Sequence, residues 1–269
     1  MNQAKVLNFF GLLLIMFGMS FAIPLFVAIF YGESLIRVFG LGMSILVLMG
    51  FLSWFFTKDN KQELSLSDGF VITVLFWIVL SVSGSIPFIL FGFGVVDSFF
   101  ESMSGITTTG ATVIAGLDDL PKSLLIYRQL LQWLGGMGLI VLAIAVMPLL
   151  GIGGGQLFKT QTPGPMSEQR LTPRITSTAR ALWSIYFVLT VLCIFAYRLA
   201  GMNYFDAVSH AFSTVSIGGF STHDLSIGFF DSLSIEIVCI AFMLLSAMSF
   251  AIHYSAIYRK QVLKYFYDP

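Results

Sequence analysis

Asp97-Ser-Phe-Phe-Glu-Ser-Met-Ser-Gly-Ile-Thr-Thr-Thr-Gly110 aligns without a gap on Asp206-Ala-Val-Ser-His-Ala-Phe-Ser-Thr-Val-Ser-Ile-Gly-Gly219, at a constant offset of 109 residues. Asp97 pairs with Asp206, Ser104 with Ser213, Ile106 with Val215, Thr107 with Ser216 and Gly110 with Gly219. Repetition of this kind indicates one structural unit used twice. Each copy lies between two long apolar runs and contains a shorter semi-apolar segment, Ser98–Thr107 or Phe205–Val215. A helix of about ten residues rises roughly 15 Å, half the thickness of a bilayer core. Both segments therefore read as re-entrant half-helices, tolerated in a membrane only where they line a wet cavity.

The residues that follow each half-helix suit a cation. A dehydrated alkali ion needs several oxygen ligands, and backbone carbonyls can replace its water shell. Such a loop needs positive φ, which glycine reaches at little cost, and Gly110 and the Gly218-Gly219 pair stand just past the helix ends. Thr107 to Thr109 and Ser216 add hydroxyl oxygens. Each half-helix also directs its negative C-terminal end toward the loop.

Composition places the unit in lipid. Hydrophobic residues make up 57% of the 269 and charged residues only 10%, with a mean hydropathy of +0.90. That leaves too little polar surface to cover a water-soluble globule. Six stretches are long and apolar enough to span: Phe9–Phe30, Leu35–Phe56, Phe70–Phe91, Leu124–Leu150, Ala181–Leu199 and Leu233–Ile257. The first is too long for a signal-peptide core and reads as retained.

The expected fold is an all-α integral membrane protein with two parallel helix–loop–helix repeats of the potassium-channel type. Residues 1–66 hold two N-terminal transmembrane helices, 67–155 the first repeat and 156–180 a cytoplasmic connector. Residues 181–269 hold the second repeat and a basic cytoplasmic tail. With the N-terminus inside, one face collects Lys5, Lys58, Lys61, Lys159, Arg170, Arg174, Arg180, Arg259, Lys260 and Lys264. The other has only Arg37, Lys122, Arg128 and Arg198, which puts both termini in the cytoplasm.

Net charge is zero, with 14 basic and 14 acidic residues, so a nucleic-acid partner is not expected. Cys193 and Cys239 lie in apolar runs as small hydrophobes. No His, Cys or carboxylate cluster has metal or nucleophile spacing, which argues against an enzyme.

Several other features have two readings. Glu101 and His210 occupy equivalent half-helix positions, as functional groups at membrane depth or as solvated groups near a helix end. Asp97 and Asp206 read as helix N-caps. Gly135, Gly136 and Gly138 read as close helix packing, with a gating hinge as the alternative. Gly151-Ile-Gly-Gly-Gly155 imitates a dinucleotide fingerprint but follows a span rather than a strand, so it reads as a helix end. The stretch Gln156 to Arg180 reads as a solvated connector, with a docking surface as the alternative. Glu236 reads as interfacial, and His253 as a paired residue or one lining an exit.

Thr-Thr-Thr-Gly-Ala-Thr (107–112) and Ser-Thr-Val-Ser-Ile-Gly-Gly-Phe-Ser-Thr (213–222) resemble the first and second selectivity-filter loops of the Trk/Ktr/HKT superfamily of potassium transporters, in its bacterial Trk branch. Gln132-Trp-Leu-Gly-Gly-Met-Gly138 and Thr162-Pro-Gly-Pro165 support the likeness, which runs through the whole chain. By the resemblance, Gly110 and Gly219 are filter glycines. K⁺ is bound by the carbonyls of Thr108, Thr109, Gly110, Ala111, Ile217, Gly218, Gly219 and Phe220.

The resemblance also implies a potassium-uptake subunit in a bacterial inner membrane, with K⁺ as the transported ion and no organic cofactor. A homodimer and a cytoplasmic nucleotide-binding regulator of the TrkA type are the partners it implies, besides membrane lipid. Members of the superfamily carry four such units and this chain shows two, like the first half of a member. The expectation is half a filter, completed by another copy or chain; the alternative is a truncated or non-conducting membrane protein.

Overall fold

The computed structural model describes residues 3–58, 66–146, 175–259 and 261. Everything described is helix or connecting loop. The order is α1 (Gln3–Ser20), α2 (Ala22–Tyr31), α3 (Ile36–Thr57), α4 (Leu66–Phe91), α5 (Val95–Ile106), α6 (Lys122–Val146), α7 (Ile175–Leu199), α8 (Tyr204–Val215), α9 (Leu233–Ala247) and α10 (Phe250–Arg259). Four runs among the described residues are long and apolar enough to cross a membrane: Gln3–Tyr31, Ile36–Thr57, Ser67–Phe91 and Ala181–Leu199. The 25-residue α6 is also long enough, at 1.5 Å per residue, but has Arg128, Gln129 and Gln132 in its first half. Gly151–Gly155, the connector as far as 174 and the basic tail lie outside the described residues.

Two expected spans differ from a simple rod. The first bends at Phe21, three residues before Pro24, where α1 gives way to α2. The sixth, expected as one helix over Leu233–Ile257, breaks at Met248, whose φ −69 and ψ 148 are extended. Neither Gly nor Pro causes that break. The Leu245 carbonyl accepts from the Met248 N–H at 3.3 Å and from Nε2 of His253, buried on the next helix, at 2.8 Å, so the side chain braces the carbonyl at the break.

The N-terminal helices pack on the first repeat through aromatic rings. Tyr127 of α6 meets Phe21, Phe39 and Phe88 at centroid distances of 5.3, 5.4 and 5.2 Å. Its buried hydroxyl donates to the Gly84 carbonyl at 2.7 Å, so the ring adds apolar contact without stranding a polar group. Phe26, Phe30, Phe56 and Leu199 are among the exposed apolar side chains, as a lipid-facing surface requires.

Glu33, between α2 and α3, accepts from the backbone N–H of Lys122 at 2.7 Å and of Ser123 at 3.1 Å, and from the Ser123 hydroxyl. A carboxylate at the positive end of α6 fixes where that helix begins.

The two short helices, α5 and α8, start differently. Asp97 and Asp206 are not the N-caps: Gly94 and Asn203 are, and both aspartates stand in the first turn. Asn203 Oδ1 accepts from the Asp206 N–H at 2.9 Å while its Nδ2 donates to Asp206 Oδ2 at 2.6 Å. Asn203 thus caps α8 at its third residue, and the Asp206 carboxylate holds the capping amide in place. Asn203→Ala is expected to cost about 1 kcal/mol, read as a lower unfolding midpoint in detergent, whereas Gly94→Ala removes no side-chain cap.

Candidate functional site

The two short helices end in the same way. In the first, Thr108 N–H donates to Gly105 O (3.0 Å) and Thr109 N–H to Ser104 O (2.9 Å). In the second, Ile217 N–H donates to Thr214 O (3.1 Å) and Gly218 N–H to Ser213 O (2.8 Å). These bonds are a Schellman termination, whose first residue past the cap must be left-handed. Thr108 and Ile217 fill that position, with φ +53 and +55. Two residues on, Gly110 and Gly219 are also positive, at φ +78 and +86. Positive φ thus falls at two alternate positions in each loop, and only the second is glycine. A β-branched residue in this region is a real outlier, and such strain collects where function over-determines the backbone.

The loops meet backbone to backbone. A Cβ built on Gly110 would stand 2.2 Å from the Gly218 carbonyl oxygen. Helix α6 runs behind both loops. A Cβ on Gly135 would be 2.0 Å from Ile106 O, at the end of α5, and one on Gly136 would be 3.1 Å from Ser216 Cβ, at the end of α8. Close packing is therefore what these glycines provide. Gln132 Oε1 accepts from the Phe220 N–H at 3.1 Å.

Behind the loops lies a buried ion pair that counting charges by face does not anticipate. Arg128 and Glu101 are both 0% exposed. Arg128 Nε donates to Glu101 Oε1 at 2.8 Å, Nη2 to Thr112 Oγ1 at 3.0 Å and Nη1 to Ser221 O at 2.9 Å. Its guanidinium carbon lies 4.4 Å from the centre of the Phe220 ring. Thr112 Oγ1 and the Val113 N–H also lie against the Glu101 carboxylate, at 2.9 and 3.2 Å. Arg128 is thus not a free charge on a membrane face, and Glu101 is not solvated.

His210, at the position equivalent to Glu101, is buried too. Its Nδ1 donates to Asp206 O at 2.9 Å, and its Nε2 lies 3.0 Å from Ser221 Oγ. Ser221 is the equivalent of Thr112, so each short helix holds its own loop through the same pair of positions. The internal symmetry extends to side-chain chemistry even where the residues differ.

A second cross-link ties the segments that follow. Asp224 accepts from the N–H groups of Gly116 (3.1 Å) and Leu117 (3.0 Å), capping the short 3-10 turn Leu117–Asp119. His223 hydrogen-bonds Asp118 and lies 3.4 Å from Asp206. The bond from His223 holds the Asp118 carboxyl below the usual carboxylate range.

Of the eight expected carbonyl residues, Thr108, Thr109, Gly110 and Ala111 lie in one loop and Ile217, Gly218, Gly219 and Phe220 in the other, brought together at Gly110 and Gly218. Thr109, Ala111, Ile217 and Gly219 are exposed; Gly218 and Phe220 are buried. The negative ends of two helices converge there beside backbone oxygens, an arrangement that attracts a cation. Sequence reading places Arg128 among the charges of one membrane face and Gln132 and Thr112 within motifs, and gives none of them its role in holding the loops. The available signal is the rule that an ionisable residue at membrane depth needs a partner, which links Glu101 to Arg128.

Residues 35–267 match the family described as TrkH: Cation transport protein. The Trk system potassium uptake protein TrkH of Halomonas elongata is 50% identical over 272 residues, covering 100% of this chain and 56% of the relative. The Trk system potassium uptake protein TrkG of Escherichia coli is 46% identical over 255 residues, 94% of this chain and 53% of that protein. The crystal structure of the potassium transporter TrkH from Vibrio parahaemolyticus superposes with a TM-score of 0.86 at 46% identity, covering 99% of this chain and 55% of that one. The chain spans about half the length of the curated relatives it matches.

Proposed function

The chain belongs to the TrkH family of cation transport proteins, and from that premise we propose that it carries two of the four loops of a potassium-conducting filter. One observation carries this reading. Two loops 109 residues apart share one hydrogen-bonded termination and one pattern of positive φ, and they meet at Gly110 and Gly218. K⁺ is held by the backbone carbonyls of Thr108 to Ala111 and Ile217 to Phe220, and moves down its electrochemical gradient with no covalent step.

Two loops cover only part of an ion's coordination shell. A second pair, from additional polypeptide or a second copy of this chain, closes the ring against the exposed Thr109, Ala111, Ile217 and Gly219. In this reading, residues 67–155 and 181–269 are parallel helix–pore loop–helix repeats, 1–66 pack outside them, and 156–180 connect them in the cytoplasm. Both termini are cytoplasmic, the membrane is the bacterial inner membrane, and the filter opens outward. The partners are a homodimeric mate and a cytoplasmic nucleotide-binding regulator of the TrkA type.

The test is growth at low K⁺ of a bacterium stripped of its own K⁺ uptake, paired with Rb⁺ flux into liposomes containing the four-loop assembly. Growth and flux are the expected results. A stable four-loop assembly that passes neither K⁺ nor Rb⁺ overturns the proposal.

A further inference from the structure

We propose that Arg128 is a positioning residue that sets the spacing of the two filter loops, and through it the preference for K⁺ over Na⁺; this rests on the pore reading above. The bonds Glu101–Thr112 and His210–Ser221 each tie one loop to its own short helix. Arg128 does something different. From α6 it reaches Glu101 and Thr112 on the first repeat and the Ser221 carbonyl on the second, in three directions from one rigid plane.

Helix α9, which follows the second loop as α6 follows the first, contains no arginine or lysine. The cross-tie therefore runs only from the first repeat to the second. It ends on Phe220, whose ring lies under the guanidinium and whose N–H is held by Gln132 one turn further along α6. Phe220 is thereby fixed through its ring, its own N–H and the carbonyl of the next residue. Arg128 and Gln132 bear on it from 0% exposure, and Phe220 itself is 3% exposed, so these bonds are made away from solvent. Ion discrimination by a carbonyl ring depends on cavity size or on the number and field of its dipoles. Loop spacing alters both.

The test uses the assembled transporter with two variants. Arg128→Lys keeps the charge but gathers its donors on one nitrogen, so it cannot span Glu101, Thr112 and the Ser221 carbonyl as the planar fork does. The double variant Glu101→Gln, Arg128→Gln removes both buried charges together, so that folding and selectivity can be separated. K⁺ and Na⁺ uptake are measured in parallel with amide hydrogen exchange over residues 218–222 of the purified protein.

In both variants the K⁺ over Na⁺ preference is expected to fall about tenfold or more, the factor for one charge-assisted hydrogen bond lost, and exchange over 218–222 to accelerate by a similar factor. An assembled double variant with wild-type selectivity and wild-type exchange overturns the proposal. A wild-type assembly passing neither ion overturns the pore reading, and with it the selectivity role. Exchange is read without flux, so faster exchange in the double variant would in that case still support Arg128 as the residue positioning the loops.

Discussion

Gly110→Ala is expected to abolish Rb⁺ uptake while leaving the protein in the membrane. Two costs act at this position. The left-handed backbone, φ +78, disfavours any side chain by about 1–2 kcal/mol. The added methyl would also stand 2.2 Å from the Gly218 carbonyl oxygen, so the loops must separate. Gly116→Ala separates these effects. Its φ is +73, yet nothing lies within 4 Å of its added methyl. It therefore carries the backbone penalty alone and is expected to keep most of its transport. Uptake at saturating and limiting Rb⁺ in cells expressing each variant to equal levels makes the comparison. Equal loss in both variants would show that contact between the loops is not what transport needs.

Glu101→Gln is expected to have the largest effect on stability. It leaves the Arg128 guanidinium, 0% exposed, without its counter-charge. Removing one partner of a buried pair typically costs about 3–5 kcal/mol, because the remaining charge stays buried and uncompensated. A penalty of that size is a large part of the stability of most domains. Low yield and a sharply lower unfolding midpoint in detergent are the expected readouts. The double variant carrying Arg128→Gln as well is expected to recover most of the loss, since no charge is then stranded. Equal instability in the single and double variants would mean that side-chain shape, rather than charge pairing, holds this site.

The repeat was legible in the sequence because it leaves a gapless signature. Asp, Ser and Gly recur at fixed positions, and the bonds closing both helices fall on equivalent residues. The second positive-φ position in each loop was legible as well, because glycine marks it. The first was not. Thr108 and Ile217 are residue types that ordinarily argue against φ > 0, and only the helix-end hydrogen bonds account for them. Reading Asp97 and Asp206 as caps places both caps three positions too late. Asn203 and Gly94 take that place, and the aspartates form the first turn.

Side-chain networks were the least legible part of the site. Arg128 lies 27 residues from Glu101 and 93 from Ser221, so no local pattern announces either contact. Its place six residues into α6 invited an assignment by membrane face, whereas burial made pairing obligatory. The break at Met248 escaped because hydropathy sees an unbroken apolar run. At the break, the Leu245 carbonyl takes the Met248 N–H and the His253 ring instead of a full helical turn.

If these two loops contribute carbonyl ligands to a K⁺ filter, a bound ion can be located between them. The most direct measurement is anomalous diffraction from crystals of the four-loop assembly grown in Rb⁺ or Tl⁺. Anomalous peaks are expected on the axis between the two loops, level with Thr108 to Ala111 and Ile217 to Phe220. A well-ordered assembly in which both loops are occupied by side chains, with no ion at their carbonyls, would contradict it.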